Sequence, residues 1–310
     1  MFQIYLPIAE IPVNSLLVLL LGLGAGFLAG MFGIGGGFLA TPFLMFIGIP
    51  PAVAVSTSTN QIIAASVSGL LAQLRKGNVD IKMGLFLIFG GFIGSSFGVS
   101  IFRILQKSGH IDIVIAIVYV LFLGTISITM LIDSVKTLMT KKYGVSWDKK
   151  EGSKMSKFLD RLDKLPCKVY FPKSEISVSV FTPIVLSIGI GILVALMGIG
   201  GGFLMIPAMI YILRMPSSVV VGTSLFQIVF IASNATFLQA ITTNNVDIVL
   251  AFLMIVSSAI GAQIGTRAGY KVDADSMRSF LALLLLFVCV KMFFILFTEP
   301  SNLYMIEVLK

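Results

Sequence analysis

Charge is scarce in this sequence. Only 12% of its 310 residues are Asp, Glu, Lys or Arg, while 57% are hydrophobic and the mean hydropathy is +1.03, which is far from the composition of a soluble domain. Histidine is scarcer still: His110 is the single one, beside Gly109 and Asp112 in a connection. With no His, no carboxylate pair and no His-Glu-x-x-His inside the apolar runs, the sequence argues against an intramembrane enzyme, and no metal or cofactor is expected. The two cysteines, Cys167 in a basic loop and Cys289 in an apolar run, have neither metal-site nor disulfide spacing and read as structural. No cationic n-region or small-residue cleavage site precedes the first apolar run, so no signal peptide is expected. The formal net charge of +8 could suggest nucleic acid, but the cations sit at segment ends and in one loop, so the partner they imply is the lipid bilayer.

What the chain does have is apolar runs punctuated by glycine. Five segments, about 13–32, 38–49, 52–74, 83–104 and 111–135, are followed by a polar interlude and five more, about 176–197, 203–214, 217–240, 247–268 and 277–297. Gly33-Ile34-Gly35-Gly36-Gly37-Phe38-Leu39 lies between the first two and returns as Gly198-Ile199-Gly200-Gly201-Gly202-Phe203-Leu204. Further matches follow in order: Pro42 with Pro207, Thr57-Ser58 with Thr223-Ser224, Gln61 with Gln227, Ser68 with Asn234, Asn78-Val79-Asp80 with Asn245-Val246-Asp247, and Gly94 and Gly98 with Gly261 and Gly265. A repeat of that length means duplicated halves. The expected organisation is a first transmembrane repeat over 1–135, a basic linker over 136–175 and a second repeat over 176–310.

A glycine triplet interrupts a hydrophobic helix, and in lipid such a break is tolerated only where it is buried in protein or lines a cavity. The segments after the breaks are about 12 residues, reaching about 18 Å of a hydrocarbon core near 30 Å. They read as half-helices. The fold class expected is an all-α polytopic membrane protein of two repeats, each a re-entrant half-helix hairpin plus three full transmembrane helices. Eleven of the 22 basic residues fall in 136–175, which places that loop in the cytoplasm and makes the halves inverted, with both termini extracytoplasmic. A parallel repeat with the N-terminus inside is the alternative, and it scatters the cations. Within the loop Met155, Phe158, Leu159, Leu162 and Leu165 recur at helical spacing, as in an interfacial helix or a partly helical linker.

The polar groups left in the spans are neutral. In Ser56-Thr57-Ser58-Thr59-Asn60-Gln61 the residues Thr57 to Gln61 lie about 9 to 15 Å deep from one side, and Gly222-Thr223-Ser224 with Gln227 enters from the other. Such residues commonly glue membrane helices together, but their repetition beside both glycine breaks favours a site. The half-helices start directly after the triplets, so their N-terminal N–H groups and positive dipole ends face the midplane and suit an anion. The candidate substrate shell is Gly35, Gly36, Gly37, Thr57, Ser58 and Gln61 with Gly200, Gly201, Gly202, Thr223, Ser224 and Gln227. Lys291 is the one cation inside an apolar run, either functional or snorkelling outward.

These motifs resemble the sulfite exporter TauE/SafE family of membrane transporters. The matching pieces are the doubled Gly-Ile-Gly-Gly-Gly-Phe-Leu with a proline three residues on, Pro-x-x-x-Ala-Val-Ser-Thr-Ser at 50–58, Met-Pro-x-x-Val-Val-Val-Gly-Thr-Ser at 215–224, and Ile-Gly-x-x-x-Gly at 93–98 and 260–265. One departure is Val-Ser-Thr-Ser in the first half, where the family usually has Gly-Thr-Ser. The resemblance implies secondary transport of a small sulfur-containing anion, sulfite or an organosulfonate, across the cytoplasmic membrane, coupled to protons or sodium. An anion channel of the same fold is the alternative.

Overall fold

A computed structural model describes residues 3–143, 167–269 and 274–297. The order is a hairpin of β1 (Gln3–Leu6) and β2 (Ile11–Asn14), then α1 (Ser15–Phe32), α2 (Gly37–Phe46), α3 (Pro51–Arg75), α4 (Ile81–Lys107) and α5 (Ile111–Tyr143). A second hairpin, β3 (Lys168–Phe171) and β4 (Ile176–Ser179), precedes α6 (Phe181–Met197), α7 (Gly202–Tyr211), α8 (Ser217–Thr242), α9 (Ile248–Ala268) and α10 (Ala274–Phe297). This is the architecture of a polytopic helical membrane protein. Among the described residues α1, α4, the 111–132 part of α5, α8 and α9 are long and apolar enough to cross a membrane. Met155, Phe158, Leu159, Leu162 and Leu165 lie outside the described residues.

Two differences from the sequence expectation have physical causes. α3 runs 25 residues, yet its Ser56–Gln61 run is too polar to count as a lipid-facing span. Most of that run is buried in protein instead, with Thr57, Ser58, Thr59 and Gln61 fully enclosed. The segment expected to begin at 176 starts as strand β4 and turns helical only at Phe181. Both hairpins are antiparallel, Gln3 opposite Asn14 and Lys168 opposite Ser179, and each turn puts a glutamate, Glu10 or Glu175, at positive φ.

The chain divides into two compact units, 1–111 with 147–272 and 112–146 with 273–310. In the first, α1 packs along α9 and α6 along α4, so each long contact joins one half of the sequence to the other. Small residues make both contacts close: a Cβ on Gly26 would lie 2.6 Å from Ser258 Cα, and one on Gly191 would lie 2.6 Å from Gly91 O. Interfaces of small residues are how membrane helices gain packing without a hydrophobic driving force. Between them α3 and α8 run antiparallel, because the residues just past the end of each helix reach the start of the other. Asp80 N–H donates to Thr223 Oγ1 (2.9 Å) and Asp247 N–H to Thr57 Oγ1 (3.1 Å).

Both aspartates are buried N-caps. Asp80 accepts from Met83 N at the start of α4, and Asp247 from Leu250 N at the start of α9. The hairpins close over them reciprocally: Ser174 Oγ donates to Asp80 Oδ2 (2.6 Å), and Ile8 N–H to Asp247 Oδ2 (2.9 Å). In the second unit Cys289 is buried against α5, its thiol 3.5 Å from Val120 O.

Candidate functional site

α1 and α6 each end on a glycine in the left-handed region, Gly33 (φ 71) and Gly198 (φ 63), whose N–H groups return to Ala29 O and Val194 O. Gly35 and Gly36, like Gly200 and Gly201, also have positive φ, so three of five backbone positions in each turn take a conformation that L side chains rarely adopt. The chain therefore stops and restarts as the 10-residue helices α2 and α7, about 15 Å long each.

The two turns meet. A Cβ on Gly37 would overlap Ile62 Cδ1 and lie 2.5 Å from Gly198 O; one on Gly202 would lie 2.5 Å from Ile228 Cδ1 and 2.9 Å from Ile34 O. Phe38 and Phe203, the second residues of the two half-helices, stack with centroids 5.1 Å apart and planes 16° apart. The positive ends of two helix dipoles thus converge on one region, a placement that suits an anion.

Of the twelve nominated residues the structure gathers some at this crossing and puts others elsewhere. Gly35, Gly36, Gly37, Gly200, Gly201 and Gly202 form it. Ser58 reaches it through Thr41, the two hydroxyls 2.6 Å apart, with Thr41 Oγ1 3.5 Å from Gly198 O. Gln61 and Gln227 immediately precede Ile62 and Ile228, which pack together at the crossing. Ser224 bonds back to its own helix at Val221 O, as Ser58 also does at Val55 O. Thr57 and Thr223 stand at the buried aspartates instead, each accepting a backbone N–H from the opposite half.

The two glutamines are the anomaly. Both are fully buried, and neither the oxygen nor the nitrogen of either carboxamide has a hydrogen-bond partner. Leaving a buried polar group unpaired costs about 1 to 3 kcal/mol, and a carboxamide with both ends unpaired can offer a donor and an acceptor to a polar ligand. Ser66 Oγ is also buried and unpaired, and lies 3.6 Å from where a Cβ on Gly35 would sit. Thr41 and Ser66 escaped the sequence reading because it sought pairs, and their equivalents are the apolar Ile206 and Ala232. His110 is exposed in its connection, and Lys291 is exposed on α10. Among the described residues no group of three or more His, Cys, Asp or Glu could hold a metal ion.

A family model described as sulfite exporter TauE/SafE matches residues 18–292. The chain is 25% identical over 284 residues to the "Probable membrane transporter protein YunE" of Bacillus subtilis (strain 168), covering 89% of this chain and 96% of that one. It is 26% identical over 275 residues to "Probable membrane transporter protein YjnA" of the same strain, with 88% and 97% covered. A "Probable membrane transporter protein" of Xylella fastidiosa (strain 9a5c) is 27% identical over 273 residues, with 84% and 87% covered. No solved structure matches the chain.

Proposed function

The chain belongs to the sulfite exporter TauE/SafE family, and on that footing we propose that it is a secondary transporter of a small sulfur-containing anion, sulfite or an organosulfonate, in the cytoplasmic membrane. The observation that carries the reading is the pair of buried carboxamides without partners, Gln61 and Gln227, each one residue before the isoleucine, Ile62 or Ile228, that packs at the two converging helix N-termini. Carboxamide N–H donors and backbone N–H groups can replace an oxyanion's hydration shell without a fixed cation. A site of dipoles and neutral donors holds its ligand loosely enough to release it.

The halves act as inverted repeats, 1–135 and 176–310, joined by a cytoplasmic 136–175 linker, with both termini extracytoplasmic. Reciprocal contacts support this: α3 antiparallel to α8, and each hairpin over the other half's aspartate. Rocking of one half against the other would then expose the crossing to each side in turn. Impermeant thiol labelling tests the orientation, because a cysteine near Met1 should react from outside intact cells and one in the linker should not. Coupling, to protons or sodium, runs without an intramembrane carboxylate, since Asp80 and Asp247 are committed to capping and to the hairpins.

The decisive experiment is flux into proteoliposomes for a panel of sulfite, sulfoacetate, taurine, thiosulfate and sulfate under imposed pH and sodium gradients. Uptake of one or more sulfur anions that rises with a gradient is expected. Flux without dependence on any gradient would make the protein a channel, and no flux of any member would overturn the assignment.

A further inference from the structure

Two cavities flank the central helices of the first unit, away from the glycine crossing. One, about 790 Å³, lies between α3 and α9, with Asn60, Ser68, Gln263 and Thr266 among its neutral polar walls and Arg75 and Arg267 among its cations. The other, about 500 Å³, lies between α4 and α8 and includes Ser96, Ser100, Arg103 and Lys107.

They are one cavity built twice. Under the repeat α3 corresponds to α8 and α9 to α4. The positions filled by Ala72, Lys76, Gln263, Thr266 and Arg267 in the first cavity are filled by Leu238, Thr242, Ser96, Val99 and Ser100 in the second. Their cations lie at opposite ends of the bundle. Arg75 and Arg267 stand at the C-terminal ends of α3 and α9, whereas Arg103 and Lys107 end α4, whose Gln106 donates to Asn245 Oδ1 beside the start of α9 (3.0 Å).

None of these five positions keeps its residue type, yet the charge character is kept: cations line both cavities and, among the described residues, no carboxylate lines either. Clefts with cations set in apolar walls focus field lines and concentrate anions. The larger cavity also runs along α3 toward Gln61, because its lining includes Arg75 at the helix end and Asn60, the residue before Gln61, 15 residues earlier, a distance of about 22 Å along the helix.

We infer that the larger cavity is an anion-capture vestibule that draws sulfite- and sulfonate-type oxyanions toward Gln61 by the potential of Arg75 and Arg267. The smaller cavity is its counterpart for the opposite face, served by Arg103 and Lys107. The substrate named rests on the transport reading above; the electrostatic claim does not.

The test uses the full chain with Cys167→Ser and Cys289→Ala and a reporter, Ser68→Cys, in the larger cavity. Rates of modification by an anionic sulfonatoethyl methanethiosulfonate and by a neutral methanethiosulfonate of similar size give a ratio that reads local potential. Arg75→Gln and Arg267→Gln should each lower that ratio about three- to tenfold, the difference should vanish near 1 M salt, and Arg267→Lys should keep the ratio. In the smaller cavity, Ser100→Cys should report the same loss on Arg103→Gln. In sulfite uptake, Arg267→Gln should raise KM more than it lowers kcat.

An unchanged ratio in both glutamine variants would overturn the vestibule, as would Arg267→Lys behaving like Arg267→Gln. If the ratio collapses as expected while the parent protein carries no sulfite, the vestibule stands and the substrate falls. Normal sulfite uptake with an invariant ratio removes the vestibule and leaves the substrate.

Discussion

Around the first glycine turn the polar groups are Thr41, Ser58 and Ser66, while the equivalent positions around the second are Ile206, Ser224 and Ala232. The backbones of the two turns agree closely, with matched positive-φ glycines and matched helix starts. Their walls do not. Ser58 and Ser224 both bond back to their own helices, at Val55 O and Val221 O, but Ser58 is also tied to Thr41, whose equivalent in the second half is the apolar Ile206. Duplication explains the scaffold, two dipole ends brought face to face, and divergence of one wall explains how a symmetric frame can hold an asymmetric ligand. If the anion sits at the crossing, its hydroxyl donors come from the first half.

The largest effect should come from filling the backbone approach. Gly37→Val must push against Gly198 O and Ile62, and Gly202→Val against Ile228 and Ile34 O. Overpacking of this kind typically costs about 1 to 3 kcal/mol. Both variants should lose anion uptake. Gly37→Val should also lower the thermal midpoint in detergent more than Gly202→Val, because its nearer backbone obstacle cannot rotate away. Equal destabilisation would mean that the two turns are mechanically interchangeable.

Next come the glutamines. Gln61→Leu and Gln227→Leu replace unpaired carboxamides with apolar groups of similar size, so stability should hold or rise. Sulfite affinity should fall about ten- to hundredfold for Gln61→Leu, the range of a hydrogen bond to a charged partner, and less for Gln227→Leu, in the half that carries Ile206 and Ala232 where the first has Thr41 and Ser66. Binding isotherms with thermal melts decide it: a variant that melts lower but binds normally would show that the carboxamide is structural.

A third pair should behave symmetrically. Thr57→Val and Thr223→Val each remove the acceptor of a buried backbone N–H, from Asp247 and Asp80, and should cost about 1 to 3 kcal/mol of stability with little change in the affinity of folded protein. A loss of binding at normal stability would return these hydroxyls to the ligand shell.

Much of this frame was legible beforehand. The glycine breaks, the half-helices and the long helices follow from apolar runs and from the costs that glycine and proline impose locally. The roles of Thr57 and Asp247 were not, because their partners lie 190 and 239 residues away in sequence, and no local pattern encodes such a contact. The hairpins left a readable trace that periodicity misses. Tyr5-Leu6-Pro7-x-x-Glu10-Ile11-x-Val13 repeats as Tyr170-Phe171-Pro172-x-x-Glu175-Ile176-x-Val178, but four-residue strands are too short to show an alternating face, and β4 merges with the apolar run of α6. Thr41 and Ser66 were hidden by the repeat itself, since a search for matched pairs passes over residues that one half alone carries.

The smallest and most discriminating prediction concerns that unmatched wall. Ser66 Oγ has no partner, so Ser66→Ala should leave stability unchanged or slightly raised, and should weaken sulfite binding by about 0.5 to 1.5 kcal/mol, or roughly two- to tenfold. Ala232→Ser puts a hydroxyl at the equivalent place in the second half, where it can bond back to the carbonyl one turn earlier and so be tolerated in the helix. Ala232 belongs to the apolar cluster with Ile62 and Ile228, so this hydroxyl gains no neighbours of the kind that Thr41 and Ser58 provide at the first turn. The double variant Ser66→Ala, Ala232→Ser should therefore bind as weakly as Ser66→Ala alone. Recovery of parental affinity in the double variant, measured by the same isotherms, would show that the hydroxyl can serve from either wall and that the anion lies on the pseudo-symmetry axis between the turns.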